Sequence, residues 1–228
     1  MRKLFVGGCS FSDYTKVERV YGEILAELLG YEYIHVAKGC GSNYKMWRKL
    51  TKYLMDGILT SNDLLIVQYT EVTRDEIWCP NILPDRLIGL VDEVDGGYIT
   101  DWKLGSYKWQ EYPEVSEFHQ TKENFYTSEV FDVEKFYYHH FMFQSMLAYY
   151  KIPTIFVEGI RIGSWGDKVK PILLPEFEKM FFPDAHFIRP GKFSEYDLEP
   201  GIDVTHLNQQ GHYVYADKLV EHIKHIGI

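Results

Sequence analysis

Cysteine is scarce: 228 residues include only Cys9, Cys40 and Cys79, with no Cys-x-x-Cys pair. An odd, widely spaced set excludes a disulfide framework and leaves at least one thiol unpaired. Basic residues are outnumbered, 24 Lys and Arg against 33 Asp and Glu, for a formal charge of −9 and a pI near 5.5. That balance argues against nucleic acid or an anionic membrane as partner, since phosphate binding needs clustered cations. No apolar stretch approaches the roughly 18 residues of a membrane span, and the N-terminus lacks a charged region followed by a long apolar segment. A cytoplasmic location without membrane contact is therefore the expectation. Internal repeats and low-complexity segments are also missing.

Aromatic residues are abundant, at 16% of the chain with 18 Tyr. The hydrophobic fraction of 46% is ordinary for a globular protein, and the length suits one α/β unit. A buried strand is expected at Lys3 to Val6. Val17, Val20, Tyr21, Ile24, Leu25, Leu28 and Leu29 then recur at helical spacing, with Thr15 and Glu18 as a capping box and Gly30 as C-cap. Further strands are expected at 31–37, 63–69, 153–159 and, more weakly, 185–189. Between them lie a helix carrying Met46, Trp47, Leu50 and Leu54 and another running from an Asp132 N-cap through Val133, Phe136, Tyr137, His140, Phe143, Leu147 and Tyr150. A last helix starts near Gly211.

Alternating strands and helices predict a three-layer α/β/α sandwich on a mostly parallel, about five-stranded, flavodoxin-like sheet. One domain, 1–228, is expected, with an aromatic-rich insertion after the third strand at about 75–131, where Pro80, Pro84, Gly96-Gly97 and Pro113 break the pattern. Ligands of such sheets bind outside the carboxyl ends of the strands. The small-residue loops after the first three strands should therefore converge on one crevice.

The first of these loops is Gly7-Gly8-Cys9-Ser10-Phe11-Ser12-Asp13. It could cradle a phosphate, present a nucleophile or simply turn the chain. Neither G-x-G-x-x-G nor a P-loop is present, which disfavours phosphate. A nucleophile needs a base and a group to orient that base. Asp203 and His206, three apart in a turn before the last helix, can face one way and supply both. Taken alone, Asp-x-x-His is a weak signal.

Four blocks in chain order, Gly-Cys-Ser-Phe-Ser at 8–12, Gly-Cys-Gly-Ser-Asn at 39–43, Gln-Tyr-Thr-Glu at 68–71 and Asp-Val-Thr-His-Leu-Asn-Gln-Gln-Gly-His at 203–212, together resemble the SGNH (GDSL-type) serine hydrolase family. The resemblance covers the chain outside the insertion. It implies Ser10 as nucleophile, His206 as base and Asp203 as its orienter. By the same resemblance the oxyanion hole draws on the Ser10 N–H, a second-block glycine that is Gly39 or Gly41, and Thr70 at the place of the family's asparagine. Two departures stand out: Cys9 replaces the first-block aspartate, and Thr70 reaches less far than an amide, so Gln68 and Arg74 are candidate substitutes at the substrate.

Ser12 reads as a turn or capping residue, Cys9 and Cys40 as buried small side chains, and His212 as a packing or capping residue. His139 and His140 point to different helix faces, so no metal is expected. Glu158 and Arg161 could line the site or form an ion pair. Trp78 and Trp102 could stack on sugar rings, while Tyr98, Tyr107, Trp109, Tyr112, Phe118, Phe125 and Tyr126 suit a satellite core of the insertion. The resemblance implies an esterase that removes a short acyl group, with a small-molecule or glycan ester as substrate and no cofactor. Acyl transfer to a sugar hydroxyl by the same triad, or a non-catalytic glycan-binding role, are the alternatives.

Overall fold

The computed structural model describes residues 1–14, 17–39, 41–70, 74, 76–78, 98–100, 117, 120–121, 129–159, 179, 181–183, 185–188 and 206–228. The apolar runs form a single five-stranded sheet: β1 (Lys3–Gly7), β2 (Glu32–His35), β3 (Leu64–Tyr69), and two later strands, Thr154–Glu158 and His186–Ile188. Their order places β2 and β3 on either side of β1, with Thr154–Glu158 and His186–Ile188 following beyond β3, and every pairing is parallel. This is the flavodoxin-like order the sequence predicts, with its switch point at β1.

Alternation along the strands splits the core in two. Leu4, Val6, Leu64, Ile66, Ile155 and Val157 face one side, against α1 (Tyr21–Leu29) and the C-terminal helix Gln209–Ile226. Phe5, Leu65, Val67, Tyr69 and Phe156 face the other, against α2 (Asn43–Met55) and α3 (Glu129–Tyr149). Strands buried on both faces read as unbroken apolar runs for this reason. A separate antiparallel pair within the insertion, β4 (Glu76–Trp78) and β5 (Tyr98–Thr100), precedes α3, and β6 (Thr154–Glu158), β7 (His186–Ile188) and α4 (Gln209–Ile226) follow it. Other parts of the insertion lie outside the described residues. Among the described residues, no helix is long and apolar enough to cross a membrane.

Helix ends depart from the sequence expectation where distant side chains replace local caps. Instead of a Thr15–Glu18 capping box, α1 starts at Tyr21 behind Val20, which makes no side-chain cap; Thr15 itself lies outside the described residues. The Tyr21 N–H donates to His212 Nδ1 on α4 at 3.0 Å, and the Glu18 and Arg19 N–H groups donate to Gln209 Oε1, each at 3.1 Å. A partner 190 residues away thus satisfies donors that a local cap would otherwise have taken. The other end of α1 follows expectation, Gly30 adopting φ +69° in the left-handed region that favours glycine. α3 begins at Glu129, so Asp132 sits inside its first turns instead of preceding them, and Asn208 caps α4 by accepting from Gly211.

Candidate active site

All five strands of the main sheet end on the same side, and the β1, β2 and β3 loops meet there. Immediately after β1 the chain turns through a short 3-10 helix, Ser10–Ser12, closed by Ser12 N–H donating to the Cys9 carbonyl at 3.0 Å. Gly8 is required at this turn: a Cβ there would stand 2.5 Å from Ser12 Oγ and 3.1 Å from Gln68 Oε1. The turn carries Ser10 to the surface while Cys9, Phe11 and Ser12 are buried.

His206 lies just ahead of α4, and its Nε2 is 2.8 Å from Ser10 Oγ. Two residues 196 apart in sequence meet because α1 and α4 pack side by side on the same sheet face. The Phe11 ring stacks on the imidazole, centroids 4.9 Å apart and planes within 27°. Phe11 therefore limits the orientations His206 can take. Asp203 lies outside the described residues.

The second-block loop is tied to the first by Asp13. Its carboxylate accepts the Gly39 N–H on Oδ2, and Oδ1 lies 3.1 Å from His35 Nε2 at the end of β2. His35 Nδ1 in turn meets the Tyr33 hydroxyl at 2.9 Å. Partial burial would raise the Asp13 pKa, but the His35 hydrogen bond, the Gly39 N–H, the His35 charge and the Tyr14 N–H together hold it below the ordinary carboxylate value. At neutral pH Asp13 is therefore an anion bridging the two loops.

This bridge bears on the oxyanion donors. The Gly39 N–H is directed at Asp13 and the Gly41 N–H at the Lys38 carbonyl, 2.8 Å away. Neither amide can serve an oxyanion without releasing its present acceptor. By contrast, the Ser10 N–H has no acceptor among the described residues. Thr70 is buried after β3, and its main chain is gripped by Asn43: Thr70 N–H donates to Asn43 Oδ1 at 2.9 Å and Asn43 Nδ2 donates to the Thr70 carbonyl at 3.0 Å. This fixes the β3 loop to the start of α2.

Gln68 is wholly buried on the α1/α4 side of the sheet. Ser12 Oγ donates to its Oε1 and also lies 3.0 Å from the Tyr21 hydroxyl, so a polar cluster supports the Ser10 turn from beneath. The Gln68 Nε2 has no partner among the described residues. Burial pushes the Tyr21 phenol well up, keeping it neutral within this cluster. Arg74 is partly buried on the loop beyond β3; Trp78 lies on β4, and Trp102 and Arg161 are outside the described residues. Glu158 is fully buried at the end of β6.

Among the histidines, His212 acts as a cap, as its place beside α1 requires. Burial, and secondarily the nearby His206, push its pKa down to about 4, so its Nδ1 stays an acceptor. His140 is buried with its Nδ1 2.6 Å from the Tyr69 hydroxyl, and burial pushes its pKa down to about 4 as well. His139 faces elsewhere and donates to the Lys135 carbonyl. Among the described residues no group of three His, Cys, Asp or Glu side chains could hold a metal ion.

Sequence reasoning passed over Asp13, His35 and Phe11. The only signal for Asp13 was its place one residue after the turn, where an aspartate commonly serves local backbone donors. His35 and Phe11 carried none, because their partners come from other loops.

No protein-family model and no curated protein matches the sequence. Solved structures do match. A psychrotrophic esterase from Pseudoalteromonas sp., in a structure inhibited by monoethylphosphonate, is 13% identical at a TM-score of 0.51, over 98% of this chain and 97% of that one. An acetylxylan esterase from Geobacillus stearothermophilus is 12% identical at 0.54, over 100% and 94%. A carbohydrate esterase of family 2 from Myceliophthora fergusii is 15% identical at 0.55, over 99% of this chain and 66% of that one, which also carries a carbohydrate-binding domain. The chain thus has the α/β fold found in these esterases.

Proposed function

We propose that this chain is a serine esterase of the SGNH type that removes a short acyl group, acetyl foremost, from a carbohydrate. The observation that carries the reading is the 2.8 Å contact between Ser10 Oγ and His206 Nε2 at the carboxyl end of the sheet. An esterase and an acetylxylan esterase share the fold, which supports the ester and the acetyl group. In this reading Ser10 Oγ–H donates to His206 Nε2, and Oγ attacks the ester carbonyl as the proton moves to the imidazole. The tetrahedral oxyanion is met by the Ser10 N–H and by a second-loop amide released from its present acceptor. Collapse expels the sugar alcohol, which takes the proton from His206; water then repeats the sequence on the acyl-Ser10 ester. Asp203, three residues before His206, would accept the Nδ1–H and stabilise the imidazolium.

The test is turnover of a chromogenic acetyl ester and of acetylated xylo-oligosaccharide by the purified chain. Ser10→Ala should lower kcat by roughly 10⁴ to 10⁶, and a phosphonate probe should label the wild type on Ser10 alone. Unchanged turnover by Ser10→Ala would overturn the assignment, as would labelling elsewhere.

A further inference from the structure

His206 stands just ahead of Gln209, the first residue of α4, and Gln209 is tied to the segment that enters α1 by three hydrogen bonds. The Glu18 and Arg19 N–H groups both donate to its Oε1 at 3.1 Å, and its Nε2 donates back to the Arg19 carbonyl at 2.9 Å. One side-chain amide thus serves as acceptor and donor to main chain, as a neighbouring peptide unit would. One turn further along α4, His212 Nδ1 accepts the Tyr21 N–H. The far side of the clamp is itself held on α1, where Arg19 Nε donates to Glu23 at 3.1 Å. Gln210, next in the chain, is exposed.

We propose that Gln209 is a positioning residue for the reaction: its amide sets where α4 begins against the Ser10 loop, and so holds His206 Nε2 within reach of Ser10 Oγ. This rests on the serine-esterase reading above. Burial of Tyr215, Ala216, Leu219 and Ile223 holds α4 against α1 and the sheet, but apolar contact is non-directional. Hydrogen bonds are directional and add a defined place along the helix axis. His206 follows the helix start closely, because Leu207 is buried in the core and Asn208 Oδ1 accepts the Gly211 N–H at 2.8 Å. The Ser10–His206 contact and the Arg19–Gln209 clamp therefore close a ring between the two segments. Within it, Phe11 restrains the tilt of the imidazole and Gln209 restrains where the imidazole stands. Misplacing a reacting group by about 1 Å costs up to about a hundredfold in rate.

The test compares three variants of the full chain, each assayed well below its melting temperature. Gln209→Met keeps the side-chain length and removes all three hydrogen bonds, Gln209→Glu keeps the acceptor and loses the donor, and Ile223→Val is a buried change toward the far end of α4. With a chromogenic acetyl ester, Gln209→Met should lower kcat about ten- to a hundredfold. Its KM should stay within about twofold of the wild type, and phosphonate labelling of Ser10 should slow in step with kcat. Gln209→Glu should fall between, and Ile223→Val should keep the wild-type kcat. In protein labelled with 15N-histidine, Gln209→Met should move the His206 imidazole signals, identified by their loss in His206→Gln. Those of His140, on the opposite face of the sheet, should stay in place. Wild-type kcat in Gln209→Met, unmoved His206 signals, or an equal loss of kcat in Ile223→Val would each overturn the proposal. A wild type with neither esterase activity nor phosphonate labelling would refute the esterase reading instead, and the His206 signals would then decide by themselves whether Gln209 sets the place of the imidazole.

Discussion

Acidification should destabilise this protein through His212 well before its carboxylates are protonated. The imidazole is buried and neutral, its pKa pushed down to about 4 from an ordinary 6.5, and its Nδ1 accepts the first N–H of α1. Protonation would fill that acceptor and bury a charge. Because the unfolded chain takes up the proton at higher pH than the folded one, stability is complete above about pH 6.5 and falls as pH drops toward about 4. From these two values the loss at pH 5 is about 2 kcal/mol. His140, with its pKa also pushed down to about 4, adds a similar amount. Together these are a large part of the 5–15 kcal/mol typical of a domain. Urea unfolding at several pH values measures it, with His212→Gln as comparison: the amide can still accept the Tyr21 N–H but does not titrate. The variant should lose about 2 kcal/mol less than the wild type between pH 7 and pH 5. Identical pH dependence in the two proteins would refute the reasoning, whatever the variant's absolute stability.

Asp13→Asn should separate the two loops at the site. The variant removes the anionic acceptor that the Gly39 N–H and His35 share, so charge-assisted hydrogen bonds are replaced by neutral ones; the expected cost is about 1.5–3 kcal/mol, read by thermal or urea unfolding. Phe11→Ala removes the ring under His206, and kcat for an acetyl ester should fall while KM changes little, since the loss is in how the base is held; a KM effect alone would contradict the stacking role.

Much of this protein was written in the sequence. Apolar runs of strand length, alternating with helical spacing, determined the layered α/β architecture, since each run can be satisfied only by burial on both faces of a parallel sheet. The Ser10 turn and His206 were legible because their residue types and order are unusual together. Only tertiary structure decided what holds them. Val20 caps nothing, and α1 begins where His212 and Gln209 offer acceptors from across the fold. Gly39, a plausible oxyanion donor by its small size and position, is engaged by Asp13, whose carboxylate reaches it only because the β1 and β2 loops lie side by side. Phe11 meets His206 because α1 and α4 pack side by side on one face of the sheet. Hydrogen bonds and ring contacts between distant segments leave no periodicity in the chain; they exist only once the packed sheet has set the distances.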